Sequence, residues 1–407
     1  MKFEKPVLCC EGRMQANTSA TEFPKASLAV YRHKTVLVTG HTGFVGSWLC
    51  LWLKRLGARV VGYALDPPSE PSLFETAKIG SKIDQHVIGD VRDGQKLLLV
   101  FRQHNPEVVF HLAAQPLVRL SYAQPKLTFE TNVLGTLNIL EAIRAAHGVR
   151  VCIIATSDKC YENQGWVYGY RETDSLGGYD PYSASKACAE LAALSYRRSF
   201  FDPQLETRSS HVTISTVRAG NIIGGGDWGQ DRLLPDCVRA LSRGRTIALR
   251  SPKAIRPWQF VLDSLSGYLC LGALMYTHPS EYAGAWNFGP DHEAAITVEQ
   301  IVQMFLEHWG QGKYEVRRTD TLHENSVLRL DTSKANSLMA WRPVYSIRDA
   351  VRETAAWYRA FYANGRAHAF DMTVSQIDEY VQTAKAKGLP WREENIHALS
   401  DVQSQIG

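Results

Sequence analysis

The sequence predicts a doubly wound α/β protein: a mostly parallel sheet with helices on both faces, and a smaller mixed α/β part beside it. Three observations carry this reading. From Lys34 onward, short β-branched runs alternate with helical stretches; a glycine-rich turn follows the first run; and 407 residues exceed one typical domain.

The first run, Thr35-Val36-Leu37-Val38, is followed by a helical stretch from Ser47 to Leu56 and then by Arg59-Val60-Val61-Gly62-Tyr63. That spacing suits a β-α-β unit. Further buried strands are expected at His86 to Ile88, Val108 to His111, Val151 to Ala155 and Val212 to Val217. After Arg218 the rhythm changes to a turn, Gly224-Gly225-Gly226-Asp227-Trp228-Gly229, and a helix from Leu233 to Arg243. The stretch from Phe260 to Tyr276 again reads as a buried strand and helix. We therefore expect a flexible extension at 1–33, a first domain at 34–217 completed by about 258–290, a second part from 218–257 and 291–370, and a helical tail at 371–407.

Composition narrows the partners. Forty-five Lys and Arg against 41 Asp and Glu give a net charge of +4 without a single-sign block, so nucleic acid is not expected. A phosphorylated small molecule remains compatible, because a few local cations can hold it. The eight cysteines show no CxxC and no zinc spacing, so no metal site and a reduced, cytoplasmic protein are expected. Thr35 to Leu53 lacks charge, yet glycines and His41 break it up, so it does not read as a membrane span.

The first turn is Thr39-Gly40-His41-Thr42-Gly43-Phe44-Val45-Gly46. Glycines spaced by three permit a tight turn and let backbone N–H groups at a helix N-terminus approach a pyrophosphate, so a Rossmann-type dinucleotide site is expected. Such glycines also make ordinary turns; the strand-turn-helix setting favours the cofactor. Asp66 lies twenty residues beyond Gly46. A carboxylate there accepts from ribose hydroxyls and repels a 2′-phosphate, which favours NAD; the alternative is a turn aspartate before Pro67-Pro68. Asp90 either contacts adenine or caps the next helix.

Tyr182 and Lys186 stand four apart, which on a helix places them on one face. A phenol titrating near ~10 needs an adjacent ammonium to serve as a base near neutrality. Directly after an apolar strand lies Thr156-Ser157-Asp158-Lys159-Cys160-Tyr161, at the carboxyl edge where open α/β sheets bind ligands. Ser157 can hydrogen-bond a reacting alcohol, and Asp158 with Lys159 offers a proton donor and acceptor; otherwise the two form a solvated loop pair.

These residues resemble extended short-chain dehydrogenase/reductases acting on nucleotide sugars, and within them the CDP-glucose 4,6-dehydratase group. The similarity runs from about Lys34 to Ala340. It is carried by the glycine turn through Ser47-Trp48, by Tyr63 to Pro68, by His111-Leu112-Ala113-Ala114-Gln115-Pro116-Leu117-Val118-Arg119, and by Asp158 to Asn163. Gly177-Gly178 before Asp180-Pro181-Tyr182-Ser183, Arg218-Ala219-Gly220-Asn221 and Arg256-Pro257-Trp258-Gln259 add to it. Ser-Asp-Lys at the strand edge, where related groups have Thr-Asp-Glu, selects the CDP-glucose group. Val45 and Phe260 depart from it, standing where Lys and His are common.

The resemblance implies NAD as cofactor, held by Gly40, Thr42, Gly43, Phe44, Gly46, Asp66, Asp90, Val91, Ala113, Ala114, Gln115, Asn132, Tyr182 and Lys186. It implies a CDP-glucose or related nucleotide-sugar substrate touched by Gln115, Arg119, Asn221, Arg256 and Trp258. Asn221 and Arg256 suit phosphate oxygens; Trp258 either stacks on a base or packs. His323-Glu324 either reaches the nucleotide or lies on the surface. The implied reaction oxidises C4 with Tyr182, Lys186 and Ser157, removes water across C5 and C6 with Lys159 as base and Asp158 as acid, and returns hydride to C6. A homodimer or dimer of dimers is implied as well. The alternatives are a 4-epimerase, a dehydratase of another nucleotide, and a non-catalytic NAD-sensing protein.

Overall fold

The computed structural model describes residues 25–205, 211–290, 296–317, 327–365 and 368–391. Along the first half, strands and helices run β1 (Thr35–Thr39), α1 (Phe44–Arg55), β2 (Arg59–Ala64), α2 (Leu73–Thr76), β3 (Gln85–Ile88), α3 (Gly94–His104), β4 (Val108–His111), α4 (Val118–Ala123), α5 (Pro125–Phe129), α6 (Gly135–Ala145), β5 (Val151–Ala155) and α7 (Pro181–Phe200). Then follow β6 (Thr213–Ala219), β7 (Asn221–Ile223), α8 (Leu233–Leu241), β8 (Ile247–Leu249), β9 (Trp258–Phe260), α9 (Val261–Thr277), α10 (Pro279–Tyr282) and β10 (Gly284–Phe288). The chain closes with α11 (Val298–Trp309), β11 (Tyr314–Val316), α12 (Ser333–Met339), α13 (Ile347–Asn364) and α14 (Ala369–Ala386).

Seven strands form one parallel sheet in the order β10-β6-β5-β4-β1-β2-β3. The order reverses between β1 and β4, and the crevice at that switch point is where such sheets take ligands. Strand residues alternate between two cores as the period of two requires. Val36, Val38, Val108, Phe110, Val151 and Ile153 face the layer of α1 and α9. Leu37, Val109, Cys152 and Ile154 face the layer of α3, α6 and α7. Two small parallel pairs, β8 with β11 and β7 with β9, lie outside the main sheet.

The uncharged stretch after Thr35 divides into β1, the glycine turn and a buried 12-residue α1. No helix among the described residues is long and apolar enough to cross a membrane.

Packing begins earlier than the expected boundary at residue 34. Ala26, Leu28 and Tyr31 are buried, and the Tyr31 hydroxyl donates to Leu269 O of α9 at 2.7 Å. An apolar 3-10 turn, Leu28–Tyr31, is held in the core by a partner more than two hundred residues away, which local patterning does not reveal.

The last helix docks on a buried carboxyl. Asp263 of α9 accepts from Val344 N–H at 2.6 Å and from the Tyr380 hydroxyl of α14 at 2.7 Å. Burial outweighs these bonds and pushes Asp263 up from 3.8 to about 7. Below about pH 4 the carboxyl is protonated in folded and unfolded chains alike. As pH rises towards 7 the unfolded chain loses that proton while the folded one keeps it. Asp263 therefore subtracts stability across that window, on the order of 2–4 kcal/mol, and no more above it. Asp263→Asn keeps an acceptor and cannot ionise. Its melting temperature relative to the native protein should climb from pH 4 to 8; a constant difference would refute this assignment.

Candidate active site

The glycine turn is built for close approach. Gly40 has φ +75°, and a Cβ there would stand 2.7 Å from Ala113 N. At Gly46 a Cβ would stand 2.2 Å from Gly40 O, so α1 can close on the turn only without one. The first bond of α1 runs from Ser47 N–H to Gly43 O at 2.9 Å, and the amides of Phe44, Val45 and Gly46 lie ahead of it at the helix N-terminus. Thr42 Oγ1 donates to Leu65 O at 2.9 Å, which ties the turn to the end of β2 beside exposed Asp66. This cradle, at the sheet's switch point, fits the diphosphate of a dinucleotide. Gly46→Ala should cost about 1–3 kcal/mol by overpacking and lower cofactor content in the purified protein; full NAD occupancy would contradict the fit.

Other expected cofactor residues have local duties. The Asp90 carboxylate accepts from Arg92 N–H at 2.9 Å and from the Arg92 guanidinium at 2.6 Å, which holds it below its ordinary pKa. Asp93, not Asp90, caps α3. Val91 is buried against Gly135. Ala113 and Ala114 follow β4 half-buried, with Ala113 N–H donating to Thr39 Oγ1 at 3.2 Å. Asn132 sits in a π-helical turn, Glu130–Leu134, a widening often found at functional sites. Its Oδ1 accepts from Gln115 N–H, and its Nδ2 donates to Gln115 O and Ser185 Oγ. Gln115, expected to touch both cofactor and sugar, has its side chain bonded within the chain. The amide is folded back onto Leu117 and Thr128, accepting from Leu117 N–H and donating to Leu117 O and Thr128 Oγ1.

Two elements converge at the carboxyl end of β5. Asp180 caps α7 through Ser183 N–H at 3.0 Å, and Tyr182 N–H donates to Ser121 Oγ at 3.1 Å, which fixes the first turn of that helix. Lys186, one turn on, donates to Ala155 O, the last residue of β5, at 3.1 Å. Beyond β5, Ser157 caps a 3-10 turn, Asp158–Cys160; its hydroxyl accepts from Lys159 N–H and donates to Asp158 Oδ1 at 2.9 Å. Lys159 Nζ stands 3.6 Å from Asp158 Oδ1. Asp158 is buried, and its Oδ2 has no hydrogen-bond partner among the described residues.

Burial pushes the Tyr182 hydroxyl up to about 12, against a hydrogen bond with Ser157 and the positive charge of Arg232, which pull it down. Burial pulls Lys186 down to about 8, while Glu190 opposes it. Ser157, Asp158, Lys159, Tyr182 and Lys186 therefore form one cluster joined through Ser157 and the end of β5.

The residues expected to hold a sugar nucleotide lie farther along. Asn221 N–H donates to Pro257 O at 2.9 Å, and Asn221 pairs with Trp258 between β7 and β9. Trp258 is buried within the main core, so packing, not an open stacking face, describes its ring. Arg256 Nη1 donates to Ile255 O at 2.9 Å, and Arg119 pairs with Asp231 at 3.6 Å. Phe260 is wholly buried against Trp48, Tyr345 and Tyr380, so this departure from the family pattern bears on packing of the C-terminal helix. His323-Glu324 lies outside the described residues.

Three groups escaped the sequence reading. His111 of β4 is buried between Thr39 and Thr136 and is pulled down to about 3 by burial and by Lys186, so it stays neutral. Arg232 pairs with Asp227 at 2.9 Å and bears on Tyr182. Glu190 stands four residues after Lys186, and the spacing that linked Tyr182 to Lys186 points to it equally.

A family model described as GDP-mannose 4,6 dehydratase matches residues 37–354. The chain belongs to that family. Among curated members similar to it is the CDP-glucose 4,6-dehydratase of Salmonella typhimurium, 47% identical over 332 residues, which cover 81% of this chain and 92% of the relative. The dTDP-glucose 4,6-dehydratase of Xanthomonas campestris is 26% identical over 80% of this chain and 93% of its own. Among solved structures, the UDP-glucose 4-epimerase of Thermus thermophilus in complex with NAD superposes with a TM-score of 0.65 at 25% identity, covering 80% of this chain and 99% of that one. The dTDP-glucose 4,6-dehydratase of Bacillus anthracis, with 22% identity and a TM-score of 0.66 over 80% of this chain and 96% of that one, shares the fold. The GDP-mannose 4,6 dehydratase family thus spans the sheet, the glycine turn and the Tyr182 cluster alike.

Proposed function

We propose that this chain converts CDP-glucose to CDP-4-keto-6-deoxyglucose with NAD as a hydride carrier that is restored in each turnover. The observation that carries the reading is Asp158 with Lys159, placed one hydrogen bond beyond Ser157 and next to Tyr182. Hydride exchange at a carbinol alone needs Tyr182, Lys186 and Ser157. The further acid and base at the same strand end answer to an elimination. The name of the Salmonella relative supports CDP-glucose as substrate.

Held at the glycine turn of Gly40, Gly43 and Gly46, NAD would supply a hydride acceptor for C4 and a hydride donor for C6. Tyr182 takes the proton of the 4-hydroxyl, with the Lys186 ammonium and Ser157 stabilising its phenolate. The resulting ketone acidifies C5–H. Lys159 removes that proton, and Asp158 Oδ2, buried and without a partner among the described residues, gives a proton to the departing 6-hydroxyl. Asn221 and Arg256 hold phosphate oxygens.

We also place the enzyme in the cytoplasm, consistent with six free cysteines among the described residues, and infer a homodimer built on α5 to α7, where Phe129, Leu134 and Leu191 are exposed. The test of function is turnover of CDP-, dTDP-, GDP- and UDP-glucose, read by the absorbance that 4-keto sugars develop in alkali. CDP-glucose should be preferred. Absence of a keto product with all four would reject dehydration, and a C4 epimer in its place would assign an epimerase.

A further inference from the structure

Glu190 is 3% exposed, yet its carboxylate is fully engaged. One oxygen accepts from Thr156 Oγ1 and from Arg218 Nε at 2.9 Å; the other accepts from Thr216 Oγ1 at 2.7 Å and from Arg218 Nη2 at 2.8 Å. Burying an ion pair is weak ground for stability, because desolvation opposes the attraction. What a bidentate pair does supply is fixed geometry.

The placement of its ends is informative. Thr156 directly precedes Ser157-Asp158-Lys159, and Arg218 Nη1 donates to the Tyr161 hydroxyl, just past Cys160, at 2.8 Å. The pair therefore grips the 157–160 segment from both sides. Glu190 also stands one turn beyond Lys186 on the same face of α7. Lys186 is faced by Tyr182 and Glu190 from α7, by Ala155 O from β5, by Cys160 from the following turn and by His111 from β4. Burial keeps Cys160 and His111 uncharged, so Glu190 is the anion in that set, with Arg218 behind it.

We propose that Glu190 and Arg218 are positioning residues that lock the segment carrying Asp158 and Lys159 in register with the helix carrying Tyr182 and Lys186. Proton removal from oxygen and from carbon then act on a single bound sugar. The roles of Asp158 and Lys159 rest on the dehydration reading above; the link from Glu190 to Lys186 does not.

Glu190→Gln preserves shape and removes the charge. With the full chain and CDP-glucose, kcat should fall by about tenfold or more while KM stays within about threefold. The alkaline limb of the NADH transient should move to lower pH by about one unit, because Lys186 loses its anion. Lys186 itself, followed by carbon-13 NMR of Cε-labelled lysine with Lys186→Arg to identify its signal, should titrate lower as well. Glu190→Asp should restore part of each shift. A folded Glu190→Gln protein with the native pH limb and native Lys186 titration overturns the proposal, whatever its kcat. Should that variant not fold, Thr156→Val, which removes the Thr156 Oγ1 bonds to Glu190 and to Val217 O and leaves the Glu190–Arg218 pair in place, must lower kcat several-fold at unchanged KM; native kcat there overturns it equally. If the native enzyme reduces NAD with CDP-glucose but eliminates no water, the dehydration reading falls, and the positioning claim is still read from the NADH transient and the titration.

Discussion

Tyr182→Phe should lower turnover of CDP-glucose by about 10³-fold or more with little change in NAD content. Phe keeps the ring of this buried residue, and the Tyr182 N–H to Ser121 bond belongs to the backbone, so the first turn of α7 survives. What is lost is one oxygen, the one that hydrogen-bonds Ser157. Of the neighbouring groups, His111 is sealed between two threonines, and Lys186 is committed to Ala155 O. Neither can replace the phenol. A pre-steady-state mixing experiment should therefore show no NADH transient, placing the defect at C4 oxidation. A loss of less than tenfold, or a transient of native size, would remove Tyr182 as the base.

Lys159→Ala should separate the two halves of the reaction. Lys159 is partly exposed and bonds through its backbone N–H to Ser157, so truncation leaves the 3-10 turn and the Tyr182–Ser157 contact in place. NADH should still form at a rate near native. Solvent deuterium should no longer enter C5, and keto-deoxy product should fall by about 10²-fold or more. Continued exchange at C5 would show that another group takes that proton. Asp158→Asn, by contrast, should retain C5 exchange and slow loss of the 6-hydroxyl.

Most of the main sheet was legible because strands such as β1, β4, β5 and β6 bury both faces and so read as apolar, β-branched runs, whereas β10, Gly-Ala-Trp-Asn-Phe with no β-branched residue, was not anticipated. Val108 to His111 and Val151 to Ala155 coincide with β4 and β5, and the neighbouring strands differ by a residue or two at their ends. The candidate cluster was legible as a grouping because its parts are local: a helix period for Tyr182 and Lys186, and a strand end for Ser157 to Lys159. Arg218 was visible as a motif residue, but not its grip on Glu190 and Tyr161, since a β6 to α7 contact is long-range. Side-chain direction was equally hidden. Nothing in its neighbours announces that Gln115 folds onto Thr128, or that Trp258 turns into the core. Asp263 escaped notice because its partners, Val344 and Tyr380, come from segments far along the chain.

The anchoring of Tyr31 on Leu269 has a consequence for biosynthesis. During translation the N-terminal turn leaves the ribosome well before α9 exists, so although Tyr31 can meet Phe110 of β4 earlier, its α9 cover is missing for more than two hundred further residues. Early segments can form β1 and α1 in the meantime, but the seal beneath them closes only when α9 arrives. Stalled nascent chains ending before Leu269 should consequently remain open to proteolytic nicking near residue 30, whereas chains extended past α9 and β10 should resist it.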